Sequence, residues 1–122
     1  MIYEKELCDK IIGAAIEVHK ELGNGFLEKV YENALIKELE LVDIKAKNQV
    51  SINVNYKGFT VGNYFADILV DNKVILELKV CDSIAPIHKA QLINYLKATN
   101  IKIGYIINFG SENKIEFKRL VY

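Results

Sequence analysis

The sequence predicts an α/β domain, a mixed β-sheet flanked by helices with the element order ααβββαββ. Three observations predict it. Apolar residues recur at helical spacing as far as Leu41, and hydrophobicity then alternates with period two from Lys45 to Lys57. Pro86 opens a further helical stretch ahead of a continuous apolar run that ends at Phe109. A helix that links two strands sets them parallel, by a right-handed crossover, whereas strands joined by short turns are antiparallel; hence a mixed sheet. At 122 residues the chain can bury one core of modest size, so residues 1–122 are read as a single domain.

In the first element Leu7, Ile11, Ala14 or Ala15, Val18 and Leu22 line one face of a helix over Tyr3–Leu22. Gly13 in its middle is expected to permit close packing. His19 near its end is expected to serve the helix dipole or the core rather than a ligand. Gly23-Asn24-Gly25 stops the helix with residues that accept positive φ. A second helix runs from about Phe26 to Leu41 on Leu27, Val30, Tyr31, Ala34, Leu35 and Leu39. Its first turn holds Glu28, where a carboxylate favours the positive end of the dipole, and that alone explains it. The spacing also sets Glu28 and Tyr31 side by side on one helix face.

From Lys45 to Lys57, Val50, Ile52, Val54 and Tyr56 alternate with polar residues, which makes a strand with one polar face. Lys57-Gly58 turns the chain, and Phe59–Val70 returns it with a bend or bulge at Gly62. Val74–Val80 follows. Pro86 lies in the first turn of a third helix reaching about Ala98, capped by Ser83 or Asp82, with Gln91 and Tyr95 one turn apart on one face. A tyrosine tucked against the sheet accounts for that pair equally well. The apolar run to Phe109 fits a strand buried on both faces, and Lys114–Val121 makes the last strand on Ile115, Phe117 and Leu120.

The most informative stretch is Tyr64–Val80, two apolar runs around Asp71-Asn72-Lys73. Ala66, Ile68 and Val70 share one strand face, and Phe65, Asp67 and Leu69 the other. Leu76, Leu78 and Val80 oppose Ile75, Glu77 and Lys79 in the same way. A three-residue loop pairs Val70 with Val74 and sets Asp67 across from Glu77. A two-residue loop would put Leu76 opposite Asp67, with the carboxylates on opposite faces. Asn72 tolerates the left-handed backbone that three-residue hairpins require, which favours the first register. The carboxylates then have Cβ atoms about 5 Å apart. Their repulsion costs about 3 kcal/mol at an effective dielectric near 20. Lys79 relieves part of it, and a divalent cation such as Mg²⁺ or Mn²⁺, which prefers hard carboxylate oxygens, would reverse the net charge. A solvated strand face with alternating charges is the competing reading.

Bulk properties remove several function classes. Sixteen basic and sixteen acidic residues cancel, so the chain is not held on nucleic acid by bulk electrostatics, and only a local basic patch is possible. Arg119 is the single arginine, which argues against base reading by several bidentate arginines. Met1–Lys10 is charged throughout, so no signal peptide is expected, and no apolar run approaches the roughly 20 residues of a membrane span. Cys8 and Cys81 lack the neighbours of a zinc site and read as buried free thiols, which suits a cytoplasmic protein.

These residues together resemble a known superfamily. Asp67 followed by Glu77-Leu78-Lys79 has the form of the PD-(D/E)XK nuclease signature, Gln91 to Tyr95 is similar to the QxxxY element of RecB-type nucleases, and Gly25, Glu28 and Tyr31 match the motif of the small GxxExxY proteins within that superfamily. The resemblance extends from Ile11 to about Leu120. It implies a restriction-endonuclease-like core and a Mg²⁺- or Mn²⁺-dependent phosphodiester hydrolase. Asp67, Glu77 and the Leu78 carbonyl would ligate the metal, with Glu28 as an outer acidic ligand. Lys79 would position the attacking water, and Gln91 and Tyr95 would steady Lys79 or a phosphate. Ala66 stands at the place of the signature's proline, and Phe65 where the family would carry a basic residue, so one phosphate contact is missing. The implied partner is nucleic acid, DNA ahead of RNA, cut with little sequence preference. Lys89, Lys97, Lys114, Lys118 and Arg119 are available to a phosphate backbone, though solvated side chains explain them as well.

The alternative is a non-catalytic nucleic-acid- or protein-binding module that keeps the nuclease fold. A structural dimer unit is a third reading, since the apolar strand Ile101–Phe109 is compatible with a homodimer.

Overall fold

A computed structural model describes residues 4–122, so the start of the first predicted helix at Tyr3 lies outside the described residues. The order is α1 (Lys5–Leu22), α2 (Glu28–Leu41), β1 (Ala46–Tyr56), β2 (Phe59–Val70), β3 (Val74–Lys79), α3 (Pro86–Thr99), β4 (Ile103–Asn108) and β5 (Glu116–Val121). The strands form one sheet in sequential order, antiparallel except where α3 carries the chain from β3 to a parallel β4.

Helices cover both faces of the sheet. Cys8, Ile11, Ala15 and Val18 of α1 and Tyr31, Leu35 and Leu39 of α2 pack on Ile68, Val70, Leu76, Leu78 and Ile107. Leu92, Tyr95 and Leu96 of α3 pack on Ile52, Ala66, Ile75 and Ile106 on the other side. Strand β4 is buried along its length between β3 and β5. The apolar strand that suggested a homodimer is therefore interior, and its hydrophobicity is accounted for within one chain.

The β2–β3 hairpin has the register of a three-residue loop: Val70 pairs with Val74, and Asp71 and Asn72 take left-handed φ of 51° and 54°. The bulge near Gly62 is present, since Val54 faces Gly62 while Asn55 faces Thr60, leaving Val61 as the extra residue.

Strict alternation fails at one point that matters. Ile68 and Val70 belong to the core under α1 and α2, whereas Ala66, of the same parity, belongs to the core under α3. The β1–β2 ribbon thus turns over at Asp67. The residue in register with Asp67 on β1 is Gln49, whose φ of 51° is left-handed in the middle of a strand.

Two smaller expectations, at Gly13 and at the cap of α3, are corrected. Gly13 is exposed, with nothing within 4 Å of where a Cβ would stand, so it serves no close packing. Neither Ser83 nor Asp82 caps α3; the N-cap is Ala85, whose N–H donates to His88 Nδ1 at 3.0 Å. His19 is a core residue, with Nε2 2.8 Å from the Ser111 carbonyl. Cys8 is buried and Cys81 half-buried, and both are free thiols. No helix among the described residues is long and apolar enough to cross a membrane.

Candidate functional site

The β2–β3 ladder ends at the pair Ile68–Leu76, one step short of the carboxylates. Beyond it, side chains take over the bonding. The Asp67 N–H donates to Glu77 Oε2 at 2.9 Å, and the Leu78 N–H donates to Asp67 Oδ2 at 2.8 Å. Each acid therefore fills a backbone donor that a regular ladder would have satisfied, and the strands part around the two groups. Glu77 is only 5% exposed. Its Oε1 has no hydrogen-bond partner among the described residues. Burial, followed by the charge of Asp67, pushes the Glu77 carboxyl up to about 8. Burial raises Asp67 as well, against the opposing hydrogen bond from Leu78.

Lys79 lies at the end of β3, half-buried, and its ammonium makes no hydrogen bond or ion pair among the described residues. Its charge acts on Asp67, Glu77 and Glu28 together, lowering all three. Glu28 opens α2 on the side facing these groups; burial and the charge of Asp67 raise its pKa.

The Gly25, Glu28 and Tyr31 triplet resolves into three separate duties. Gly25 has φ 110°, which a side chain would oppose. Tyr31 does not stand beside Glu28 toward the acids; it is fully buried and stacks on Phe109 with ring centroids 4.6 Å apart. Its hydroxyl donates to the Gly23 carbonyl at 2.5 Å and accepts from the Phe26 N–H at 3.3 Å. Because the Phe109 N–H in turn donates to the Lys79 carbonyl at 2.9 Å, one rigid path joins the start of α2 to the end of β3. That path fixes where Glu28 meets Lys79.

On the opposite face Gln91 Nε2 donates to Tyr95 Oη at 3.0 Å. Tyr95 is buried, and burial together with the Glu77 charge raises its pKa, so this pair borders the acids from α3. Neither residue bonds Lys79.

Two residues were not singled out by the sequence reading. Glu32, 4% exposed, accepts from Lys29 Nζ at 2.7 Å, Gln49 Nε2 at 2.8 Å and Asn48 Nδ2 at 3.1 Å. Gln49 also acts on Asp67, lowering its pKa, and so links the two acids. The signal available for Glu32 was its place on the apolar stripe of α2 with Leu35 and Leu39. Nothing in the letters marks Gln49.

The donor set fits a hard divalent cation: carboxylate oxygens at a point where anionic charge outweighs the single ammonium. Among the described residues no three His, Cys, Asp or Glu side chains form a ready cage. The fit rests on Asp67 and Glu77, with Glu28 farther out.

No curated protein matches the chain. Among solved structures, the crystal structure of SSO0001 is similar in fold, with a TM-score of 0.54 and 20% identity over 76% of this chain and 48% of that one. The present chain thus spans about half the length of that protein. The family model of the PD-(D/E)XK nuclease superfamily matches residues 5–120, and with nearly the whole chain covered the protein belongs to that superfamily.

Proposed function

We propose that this chain is a divalent-metal-dependent nuclease domain that hydrolyses phosphodiester bonds with little sequence preference, acting on DNA ahead of RNA. The observation that carries the reading is the exchange between Asp67 and Glu77, each holding a backbone N–H of the opposite strand, beside an uncommitted Lys79. Superfamily membership supports it.

Asp67 and Glu77, with the Leu78 carbonyl, would hold Mg²⁺ or Mn²⁺, and Glu28 would add an outer acid. When bound, the ion supplies a water of lowered pKa and a counter-charge for the phosphoryl oxygens. The Lys79 ammonium orients the attacking water and stabilises the negative charge that grows on the phosphorus centre. Gln91 and Tyr95 present an amide and a hydroxyl to the phosphate from the α3 side. All of these groups come from one chain, so the reaction needs no homodimer.

The test pairs calorimetric titration of Mn²⁺ with cleavage of labelled single- and double-stranded DNA and RNA, on wild type and Lys79→Ala. The proposal expects metal binding by both proteins and cleavage at least 100-fold slower in the variant, the lower range for loss of one positioned catalytic group. Metal binding without Lys79-dependent cleavage would establish the binding module instead. Absence of metal binding would leave the fold alone.

A further inference from the structure

A groove of about 850 Å³ runs between the turned-over β1–β2 ribbon and the exposed face of α3. Its ribbon wall includes Val54, Gly62 and Tyr64, and its helix wall includes Gln91, Asn94 and Lys97. The volume is within the roughly 300–1,000 Å³ of sites that enclose small organic groups. Tyr64 of this groove stands three residues before Asp67 on β2, about 10 Å along the strand, and its ring meets that of Tyr95 from α3, so the groove adjoins the candidate site.

Tyr64 is the feature that points to an occupant. It is 49% exposed, yet its ring is held in place, with the Tyr95 ring centroid 5.7 Å away on one side and Gly62 beneath. A Cβ added at Gly62 would lie 3.4 Å from the Tyr64 ring and 3.6 Å from Val54, so the absence of a side chain there keeps the slot between them open. The groove therefore combines an exposed, oriented aromatic ring with two carboxamides on the helix side and one cation, Lys97. A duplex offers its phosphates outward and would require a bank of lysines or arginines, which a chain of zero formal charge with one arginine does not assemble here. An unpaired strand offers flat bases to stack and open hydrogen-bonding edges that amides can meet.

We infer that this groove binds an unpaired nucleic-acid strand, with a base stacked on Tyr64, and leads it to Asp67 and Glu77. The inference builds on the nuclease reading and names its substrate class. Binding measured without metal separates the two.

In EDTA, fluorescence anisotropy is followed for labelled oligothymidine, oligouridine, a duplex of the same length and an abasic strand of the same length. The proteins are wild type, Tyr64→Ala, Tyr64→Phe and Asn94→Ala, each checked by circular dichroism. Either unpaired oligonucleotide is expected to bind more tightly than the duplex or the abasic strand, and the ratio of the two identifies the sugar. Tyr64→Ala is expected to weaken binding about tenfold, within the range for loss of one aromatic stack, while Tyr64→Phe retains it. Asn94→Ala is expected to weaken it less. Duplex bound as tightly as the unpaired strands, or Tyr64→Ala binding like wild type, would overturn the inference. So would Tyr64-dependent self-association with no oligonucleotide bound. Metal-dependent cleavage with Tyr64→Ala binding like wild type would remove the groove and keep the nuclease. Tyr64-dependent binding without any cleavage would do the reverse.

Discussion

Glu32 and Glu77 are both buried carboxylates, and their surroundings drive them in opposite directions. Burial pushes Glu32 up, but hydrogen bonds from Lys29, Asn48 and Gln49 outweigh it and hold the group below its ordinary value. Glu32→Ala removes an anion that three donors share, and should cost about 2 kcal/mol of stability, read as a lower urea midpoint with an unchanged m-value. It should also weaken Mn²⁺ binding, because Gln49 loses the partner that holds it against Asp67. Glu77 has burial and Asp67 acting against its charge, and its carboxyl lies near 8 instead of 4.5. The folded state then retains a proton that the unfolded chain releases first. Stability of the metal-free protein should therefore fall as pH rises from about 4.5 toward about 8, by a few kcal/mol at most. Glu77→Gln should flatten that slope in melts taken across the same interval, and excess Mn²⁺ should restore stability at the alkaline end of wild type. A slope unchanged in Glu77→Gln would show that another group carries it. The type and spacing of Asp67, Glu77 and Lys79 were legible in the sequence because alternation in strands is a local property. The Glu32–Gln49 link was not, since it joins a helix to a strand through side chains whose letters carry no such pairing.

Among the elements, the turn from β3 into α3 is held by Asn108, fully buried at the end of β4. Its Oδ1 accepts from the Cys81 and Gly110 N–H groups at 3.0 and 2.9 Å, and its Nδ2 donates to the Cys81 carbonyl at 2.9 Å and Glu116 at 3.0 Å. Glu116 also accepts from the Ile84 N–H at 3.0 Å, so β4, β5 and the approach to α3 share one polar knot. Gly110 stands so close that an added Cβ would meet the backbone of Cys81 within 2.6 Å, and backbone cannot step aside as a flexible side chain does. Gly110→Ala should cost about 3 kcal/mol, at the upper end for overpacking, and should lower cleavage as well, because the displaced segment sets where Gln91 and Tyr95 stand. Gly104→Ala makes a useful contrast, since the neighbour it meets at 2.8 Å is the Leu92 side chain, which can rotate. Its cost should be about 1 kcal/mol by the same urea measurement. Hairpin register and the parallel crossover were readable at this scale, because turn chemistry and a helical connector fix them. The knot and the turnover of the ribbon at Asp67 depend on contacts between distant segments. Period-two counting consequently assigned Ala66 and Ile68 to one face when the fold divides them.

At the scale of the whole molecule, a sheet covered by α1 and α2 on one face and α3 on the other is what the alternation of helical and strand periods announced, and the superfamily match over residues 5–120 agrees with it. Charge is the property of the whole chain that separates modes of substrate engagement. Sixteen basic against sixteen acidic residues leave no net field to draw a polyanion, so affinity has to come from contacts made within the groove and at the acids. Lys97 lines the groove, and the charge of Lys79 acts on Glu77 at the candidate site. Two such lysines would release about two condensed counterions from a single strand, giving a logarithmic salt slope of roughly −1.4. Binding of an unpaired oligonucleotide in EDTA, measured by anisotropy over a series of salt concentrations, should show that shallow dependence. Lys97→Ala should reduce its magnitude by about half, while Lys114→Ala, on the far side of the sheet order at the entry to β5, should leave it unchanged. A slope several times steeper would mean that many phosphates are neutralised at once. The chain would then be engaging a backbone along a surface rather than a base in a slot.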